Sequence, residues 1–222
     1  MRELTYNEAA LEAIAEEMRR DPKIFYMSTD ALPPLLNEFG PTRIKATPIA
    51  EAALTGMGIG AAGSGFRPIV DWRQVTFCFV AMDQIVNQAA KIHYMFGGQV
   101  TFPILFRASV GGGGQVAAQH SQSPYSMFMN VAGLKMFLPS TPYDMKGLIK
   151  TAIRDNNPVI SFESGRLMGR KVGYWQELNR GWDCVFGSRF VRGGGVIDYP
   201  KIKLFINRLA NFFLRSTGLR RG

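Results

Sequence analysis

Six short extended runs recur through the first 165 residues, each too brief for a helix and most of them apolar, with helical patterns between them. They are Ile24–Met27, Arg43–Ala46, Pro68–Trp72, Ile104–Ala108, Lys135–Leu138 and Pro158–Phe162. A strand that is hydrophobic along its length, rather than at every second position, has to be covered on both faces. Strands that alternate with helices are joined by crossovers, and crossovers make neighbours parallel. The expected fold class is therefore α/β, a mostly parallel sheet with helices on both faces.

The intervening segments carry their own signals. Thr5-Tyr-Asn-Glu8 reads as a capping box opening a helix to about Arg20, with Ala9, Leu11, Ile14, Ala15 and Met18 on its apolar face. Asp21-Pro22 stops it, and a loop containing Pro33 and Pro34 is expected after the first strand. The helix expected after the second strand is rich in glycine, at Gly56, Gly58, Gly60, Gly63 and Gly65. That composition is costly in isolation and makes sense where backbone packs closely on something else. Further helices are expected over roughly Val80–Tyr94, within Ser123–Val131, and from Thr141-Pro142 to about Asp155.

Charge divides the chain. Residues 1–165 hold 14 Lys/Arg and 14 Asp/Glu, so the whole net charge of +9 falls in residues 166–222. That balance makes a basic nucleic-acid-binding domain a poor description of the main body. No apolar run approaches the ~20 residues of a membrane span, and the N-terminus has no secretory h-region. Cys78 and Cys184 form no metal or redox spacing, and in the cytoplasm, the expected location, they would stay reduced.

Three places invite chemistry. Glu51 is the only charged residue between Lys45 and Arg67, among small and apolar neighbours. A buried carboxylate without a cation has a raised pKa and can share a proton near neutral pH; a plain helix N-terminus after Thr47-Pro48 explains it as well. Gly111 to Gly114 lack the Lys-Ser/Thr ending of a Walker A loop, and Gly112-Gly-Gly-Gln-Val-Ala117 is only a loose dinucleotide match with no acidic residue on the next strand. His120, in Gln119-His-Ser-Gln-Ser123, is either a surface loop residue or an exposed, titratable group. The chain has no G-x-S-x-G elbow, which argues against a Ser–His hydrolase.

Taken in order, several segments are recognisable. They are Thr47-Pro-Ile-Ala-Glu-Ala-Ala53, Ala81-Met-Asp-Gln-Ile-Val-Asn-Gln-Ala-Ala-Lys91, the glycine run, Gln119 to Ser123, Leu138-Pro-Ser-Thr-Pro-Tyr-Asp144 and Ala152-Ile-Arg-Asp-Asn-Asn-Pro158. The sequence over about residues 3–168 closely resembles the N-terminal, transketolase-like pyrimidine-binding domain of the beta subunit of thiamine-diphosphate-dependent 2-oxo acid dehydrogenases. The pyruvate and acetoin dehydrogenase branches are nearest. The resemblance implies oxidative decarboxylation of a 2-oxo acid, or acetoin cleavage, in a heterotetramer with an alpha subunit, and acyl transfer to a lipoyl-bearing acyltransferase component. It implies thiamine diphosphate as cofactor, with magnesium held by the alpha subunit. Glu51 would bond a ring nitrogen of the aminopyrimidine and favour the imino tautomer that generates the ylid. Phe77 would pack on the pyrimidine ring, and His120 would face the reacting carbon. Asp155 and Asn157, with the carbonyl of Ala152, resemble a family site for a monovalent cation such as potassium; an ordinary helix C-terminus also accounts for them.

Departures from the family pattern set the remaining expectations. Ser28-Thr29-Asp30 stands where the family often has Gly-Glu-Asp. The Gly-Asp-Gly segment that holds diphosphate and magnesium is absent, and in the family it lies on the alpha subunit. Residues 169–222 resemble nothing in the family, so the domain organisation reads as 1–168 plus a basic tail replacing the family's second domain. Lys203 to Arg215 could form a basic amphipathic helix for a membrane surface or a partner. The alternative for the tail is an unrelated or frame-shifted segment replacing the lost domain, and the alternative for the whole chain is a truncated, non-catalytic relative that acts only through partner or membrane-surface binding.

Overall fold

A computed structural model describes residues 3–111 and 116–169. Helix α1 (Tyr6–Arg20) starts at Thr5, whose hydroxyl accepts from the Glu8 amide while the Glu8 carboxylate accepts from the Thr5 amide, as the capping box predicts. Strand β1 (Ile24–Ser28) follows, then α2 (Pro33–Phe39), β2 (Ile44–Ala46), α3 (Glu51–Gly63) and β3 (Arg67–Gln74). A 3-10 turn (Val75–Ala81), a π-helical turn (Gln84–Ala89) and α4 (Ile92–Met95) lead to β4 (Leu105–Val110). Short α5 (Ala117–His120) and α6 (Tyr125–Met129), β5 (Lys135–Phe137), α7 (Pro142–Arg154) and β6 (Val159–Ser164) complete the set.

All six strands are parallel, in the order β2-β1-β3-β4-β6-β5. Alternate residues of each central strand feed different cores. Ile24, Tyr26, Ile69, Leu105 and Val159 pack under α1, α2 and α7. Met27, Val70, Trp72, Phe106, Ile160 and Phe162 pack under α3, the 3-10 and π turns, and α6. Both faces are thus covered, which is why these strands read as continuous apolar runs. Every described residue falls within one compact unit, Met1–Gln176.

Two expectations need correction. The segment with Pro33 and Pro34 is a helix rather than a loop, because both prolines occupy its first turn, where their missing amides cost nothing and their φ is already helical. Leu35 anchors it in the core. The single helix expected over Val80–Tyr94 is instead three short coils. Val75-Thr-Phe-Cys-Phe-Val80 is a run of β-branched, aromatic and Cys residues with poor α-propensity, and it winds as a tighter 3-10 turn. The close approach inferred from the glycines of α3 is met at two of them. A Cβ on Gly58 would lie 2.6 Å from Val70 Cγ2, and one on Gly63 would lie 3.1 Å from the Phe102 ring, whereas Gly60 faces open space. The basic tail beyond Gly169, the 203–215 helix, Cys184 and the glycines at 112–114 lie outside the described residues.

Candidate functional site

The order of the strands creates a crevice. From β1 the chain crosses outward to β2, whereas from β3 it crosses the other way to β4. Ligands of open α/β sheets bind outside the carboxyl ends of the strands at such a reversal. Glu51, Phe77 and His120 all follow carboxyl ends: Glu51 opens α3 after β2, Phe77 lies in the 3-10 turn after β3, and His120 ends α5 after β4.

Glu51 is the first residue of α3 and only 7% exposed. Its N-cap is Ala50, which offers no side-chain cap, so the helix dipole at this end is complemented by the carboxylate itself. Among the described residues, no group hydrogen-bonds or ion-pairs with that carboxylate. The approach to α3 is fixed by Thr47, whose amide and hydroxyl both donate to the Ser28 carbonyl at the end of β1, at 2.8 and 3.3 Å. Farther along, the Trp72 indole donates to the Thr55 hydroxyl at 2.8 Å and pins α3 to β3.

Phe77 is half-buried and meets His120 edge-to-face, with ring centroids 5.2 Å apart and planes at 88°. Phe79, two residues on, packs against the core instead. Cys78 between them is buried, and desolvation pushes its thiol up to about 12, which leaves it unreactive. The structure therefore brings Phe77 and His120 into contact and sets Glu51 at the start of a helix that packs against the same 3-10 turn.

Ala152, Asp155 and Asn157 lie elsewhere. They sit where α7 runs into β6, at the amino edge of the sheet, opposite the crevice. Asp155 Oδ2 takes the Lys135 ammonium at 2.6 Å, and Oδ1 accepts from the Asn157 amide and side chain at 2.9 and 2.8 Å. Burial raises the Asp155 carboxyl, but these bonds outweigh it and hold it below its ordinary value. The Ala152 carbonyl accepts from the Asp155 amide at 3.2 Å, an ordinary helix ending. A monovalent cation at these three residues would compete with the Lys135 ammonium, which already supplies the positive charge.

A buried ionic network was not anticipated from the sequence. Arg107 and Glu163, 4% and 2% exposed, form a bidentate pair with both contacts at 2.7 Å. Ser161 donates to Glu163, and Asp71 lies 3.8 Å from Arg107 while accepting the Tyr26 hydroxyl. Burial, and then the Asp71 charge, raise the Tyr26 phenol and keep it protonated. The other Asp71 oxygen accepts the Arg73 amide at 2.7 Å, at a bulge where Arg73 takes a left-handed φ of 66°. Asp71, Arg73, Arg107 and Glu163 line a cavity of about 370 Å³ that Asn7 and Leu11 of α1 also border. One signal was present in the sequence: Asp71 and Arg107 each lie near the carboxyl end of a strand-like run, and Glu163 directly follows a third.

Comparison with known proteins agrees with this geometry. The model of the family described as "Transketolase, pyrimidine binding domain" matches residues 2–170. The pyruvate dehydrogenase E1 component subunit beta of Rickettsia bellii is 46% identical over 176 residues, 75% of this chain and 54% of that protein. The 2-oxoisovalerate dehydrogenase subunit beta of Bacillus subtilis is 43% identical over 172 residues, 73% of this chain and 53% of that one. The chain thus spans about half the length of these curated relatives. Among solved structures, a split-gene transketolase described as an inactive beta4 tetramer superposes with a TM-score of 0.59 at 21% identity, covering 75% of this chain and 52% of that one. Transketolase from Leishmania mexicana gives 0.60 at 16% identity, over 82% and 28% of the two chains. Six parallel strands, a buried glutamate at the start of α3 without a partner among the described residues, and a match across residues 2–170 lead to one conclusion: the chain belongs to the transketolase pyrimidine-binding domain family.

Proposed function

We propose that this chain acts as the pyrimidine-binding part of a 2-oxo acid dehydrogenase beta subunit, in the cytoplasm, paired with an alpha subunit and using thiamine diphosphate. The observation that carries this reading is the Glu51 carboxylate: buried, at a helix N-terminus, and free of any partner among the described residues. A carboxylate that is largely buried and has no protein partner is left to water or to a ligand, so it is available to bond one. An aminopyrimidine offers a ring nitrogen that can share a proton with it, and the half-buried Phe77 offers an apolar surface for the ring. The residues present therefore fit the pyrimidine half of the cofactor.

When bound, thiamine diphosphate supplies the carbanion chemistry that a 2-oxo acid needs to lose carbon dioxide. Glu51 holds a proton at the ring nitrogen and sets which tautomer is present. Phe77 orients the ring and excludes water from that side. His120, touching Phe77 across the crevice mouth, presents a group that can donate or accept a proton beside the 2-oxo acid or the acyl carrier. Diphosphate and magnesium are assigned to the alpha subunit, and the acyl group passes to a lipoyl-bearing acyltransferase. Pyruvate is the first substrate to test, because a pyruvate dehydrogenase beta subunit is the 46%-identical relative.

The test is co-expression with a pyruvate dehydrogenase alpha subunit, followed by a thiamine-diphosphate-dependent assay of pyruvate decarboxylation. A copurifying, active complex is expected. Glu51→Gln should lower kcat by about 10²–10⁴-fold while leaving the complex intact, the usual scale for one proton-transfer group. An active complex whose Glu51→Gln variant keeps full kcat would overturn the assignment of Glu51, and absence of any complex would overturn the proposed partnership.

A further inference from the structure

Three features are left unexplained by the proposed site: the cavity bordered by α1, the apolar side chains exposed on α4, and the way the segment carrying His120 is held. The cavity is walled by charges that already satisfy one another. Nothing on α4 indicates what would cover Tyr94, Met95 and Phe96. The His120 segment is different, because among the described residues one hydrogen bond, from the 3-10 turn, joins it to another helix or strand.

Helix α5 is a single turn, and Ala117, Ala118 and Gln119 are all exposed, so apolar burial holds it weakly. It begins at Ala117 with a φ of 58°, a left-handed conformation that an alanine adopts only at a cost of about 1–2 kcal/mol. Its internal bonds close the loop on itself. Gly111 donates to the Gln122 carbonyl, Val116 to the Ser121 hydroxyl, and the Gln122 side chain to the Ala118 carbonyl. None of these fixes the turn relative to Phe77. The remaining bond does: the Thr76 hydroxyl donates to the Gln119 carbonyl, one residue from His120 on one side and one residue from Phe77 on the other.

Thr76 is itself held from behind. The Asp71 carboxylate accepts the Arg73 amide and clamps the left-handed bulge that turns β3 into the 3-10 turn. Asp71 in turn is fixed by Tyr26 and the Arg107–Glu163 pair. A line of named contacts therefore runs from the sheet interior to the Phe77–His120 pair, and its last link is a single hydroxyl.

We propose that Thr76 is a positioning residue, tying the His120 turn to the 3-10 turn so that His120 and Phe77 stay in edge-to-face contact. This rests on the reading of Phe77 and His120 as site residues, but its test does not need the enzyme to be active. The chain has only two histidines, His93 and His120, so their ring proton resonances in the full chain are readily assigned with a His93→Gln variant. In the wild-type chain the His120 ring proton is displaced from its free-imidazole position by the ring current of Phe77, and Phe77→Leu removes that displacement.

Thr76→Val keeps shape and β-branching but removes the donor. It should shift the His120 resonance most of the way to its position in Phe77→Leu and leave that of His93 unchanged. Thr76→Ser, which restores the donor, should return it toward wild type. In the complex with an alpha subunit, Thr76→Val should lower kcat at least 10-fold with KM changed less than about 2-fold, because orientation rather than binding is lost. A His120 resonance unmoved by Thr76→Val, in a chain with wild-type circular dichroism, overturns the proposal. So does failure of the serine variant to restore it. If the resonances behave as expected and no complex is active, the tie stands and the functional reading fails.

Discussion

Replacing Glu163 with Met leaves Arg107 with its guanidinium buried and its bidentate partner gone. Breaking a buried ion pair from one side costs about 3–5 kcal/mol, because the remaining charge is stranded in a poorly solvating interior. Asp71 stands 3.8 Å from Arg107 and offsets part of that, which puts the expected loss near the lower end, at about 3 kcal/mol. A domain of this size shifts by about 2–4 °C per kcal/mol, so the melting temperature should fall by roughly 6–12 °C. Arg107→Met should cost more, since it strands two carboxylates, Glu163 and Asp71, on neighbouring strands. The double variant Arg107→Met/Glu163→Met replaces the pair with apolar side chains and should be more stable than either single one. Urea unfolding followed by circular dichroism gives all four free energies and a coupling of at least about 2 kcal/mol. Single losses below about 1 kcal/mol, or a double variant equal to the sum of the singles, would refute the argument that the two charges exist for each other.

Other outcomes follow from the same contacts. Gly58→Ala should destabilise by about 1–2 kcal/mol, because its Cβ would meet Val70 Cγ2 at 2.6 Å and Ile104 Cδ1 at 3.0 Å, and overpacking exceeds the gain in helix propensity. Gly60→Ala, in open space on the same helix, should instead stabilise by about 0.5–1 kcal/mol; equal effects from the two in urea would contradict the close-approach reading. Between α1 and α7, hydrogen bonds from Lys146 and then Lys150 pull the Glu16 carboxyl from 4.5 down to about 2. Because the folded value is the lower one, its contribution is complete above about pH 5 and is lost as pH falls toward about 2. The fall in the urea midpoint between about pH 5.5 and about pH 3 should be smaller in Glu16→Gln than in the wild type, and equal falls would count against it.

The strands were legible because burial on both faces leaves a continuous apolar signature, and each of the six runs is a strand within two residues of its expected ends. Capping chemistry was equally local: Thr5–Glu8 and Thr141–Asp144 close as their spacing requires. What the sequence hid depends on partners far along the chain. Arg107 and Glu163 are 56 residues apart and meet only because β4 and β6 are adjacent, which no local pattern reveals. The breakdown of the expected helix at Val80–Tyr94 is partly local, in the poor α-propensity of Val75–Val80, and partly distant, since Gly133 lies against the Ala90 backbone. Glu51 was conspicuous as a lone charge, whereas Phe77 and Phe79 look alike in sequence and only packing separates them. His120 was expected on a loop. It sits at the end of a one-turn helix entered through a strained alanine, a conformation that residue identity does not announce.

The sheet's outermost strands have a consequence for how the chain behaves in company. β2 and β5 are three residues each, and both carry a lysine exposed to solvent, Lys45 on one and Lys135 on the other. An open row of amides and carbonyls invites a foreign strand to add on, and short, cationic borders are how natural sheets refuse it. This molecule keeps its long hydrophobic strands, β3 and β4, in the interior of the order, with each border too brief to template a stranger. A chain this rich in apolar β-segments therefore carries its protection against fibre formation in the borders of the described sheet themselves.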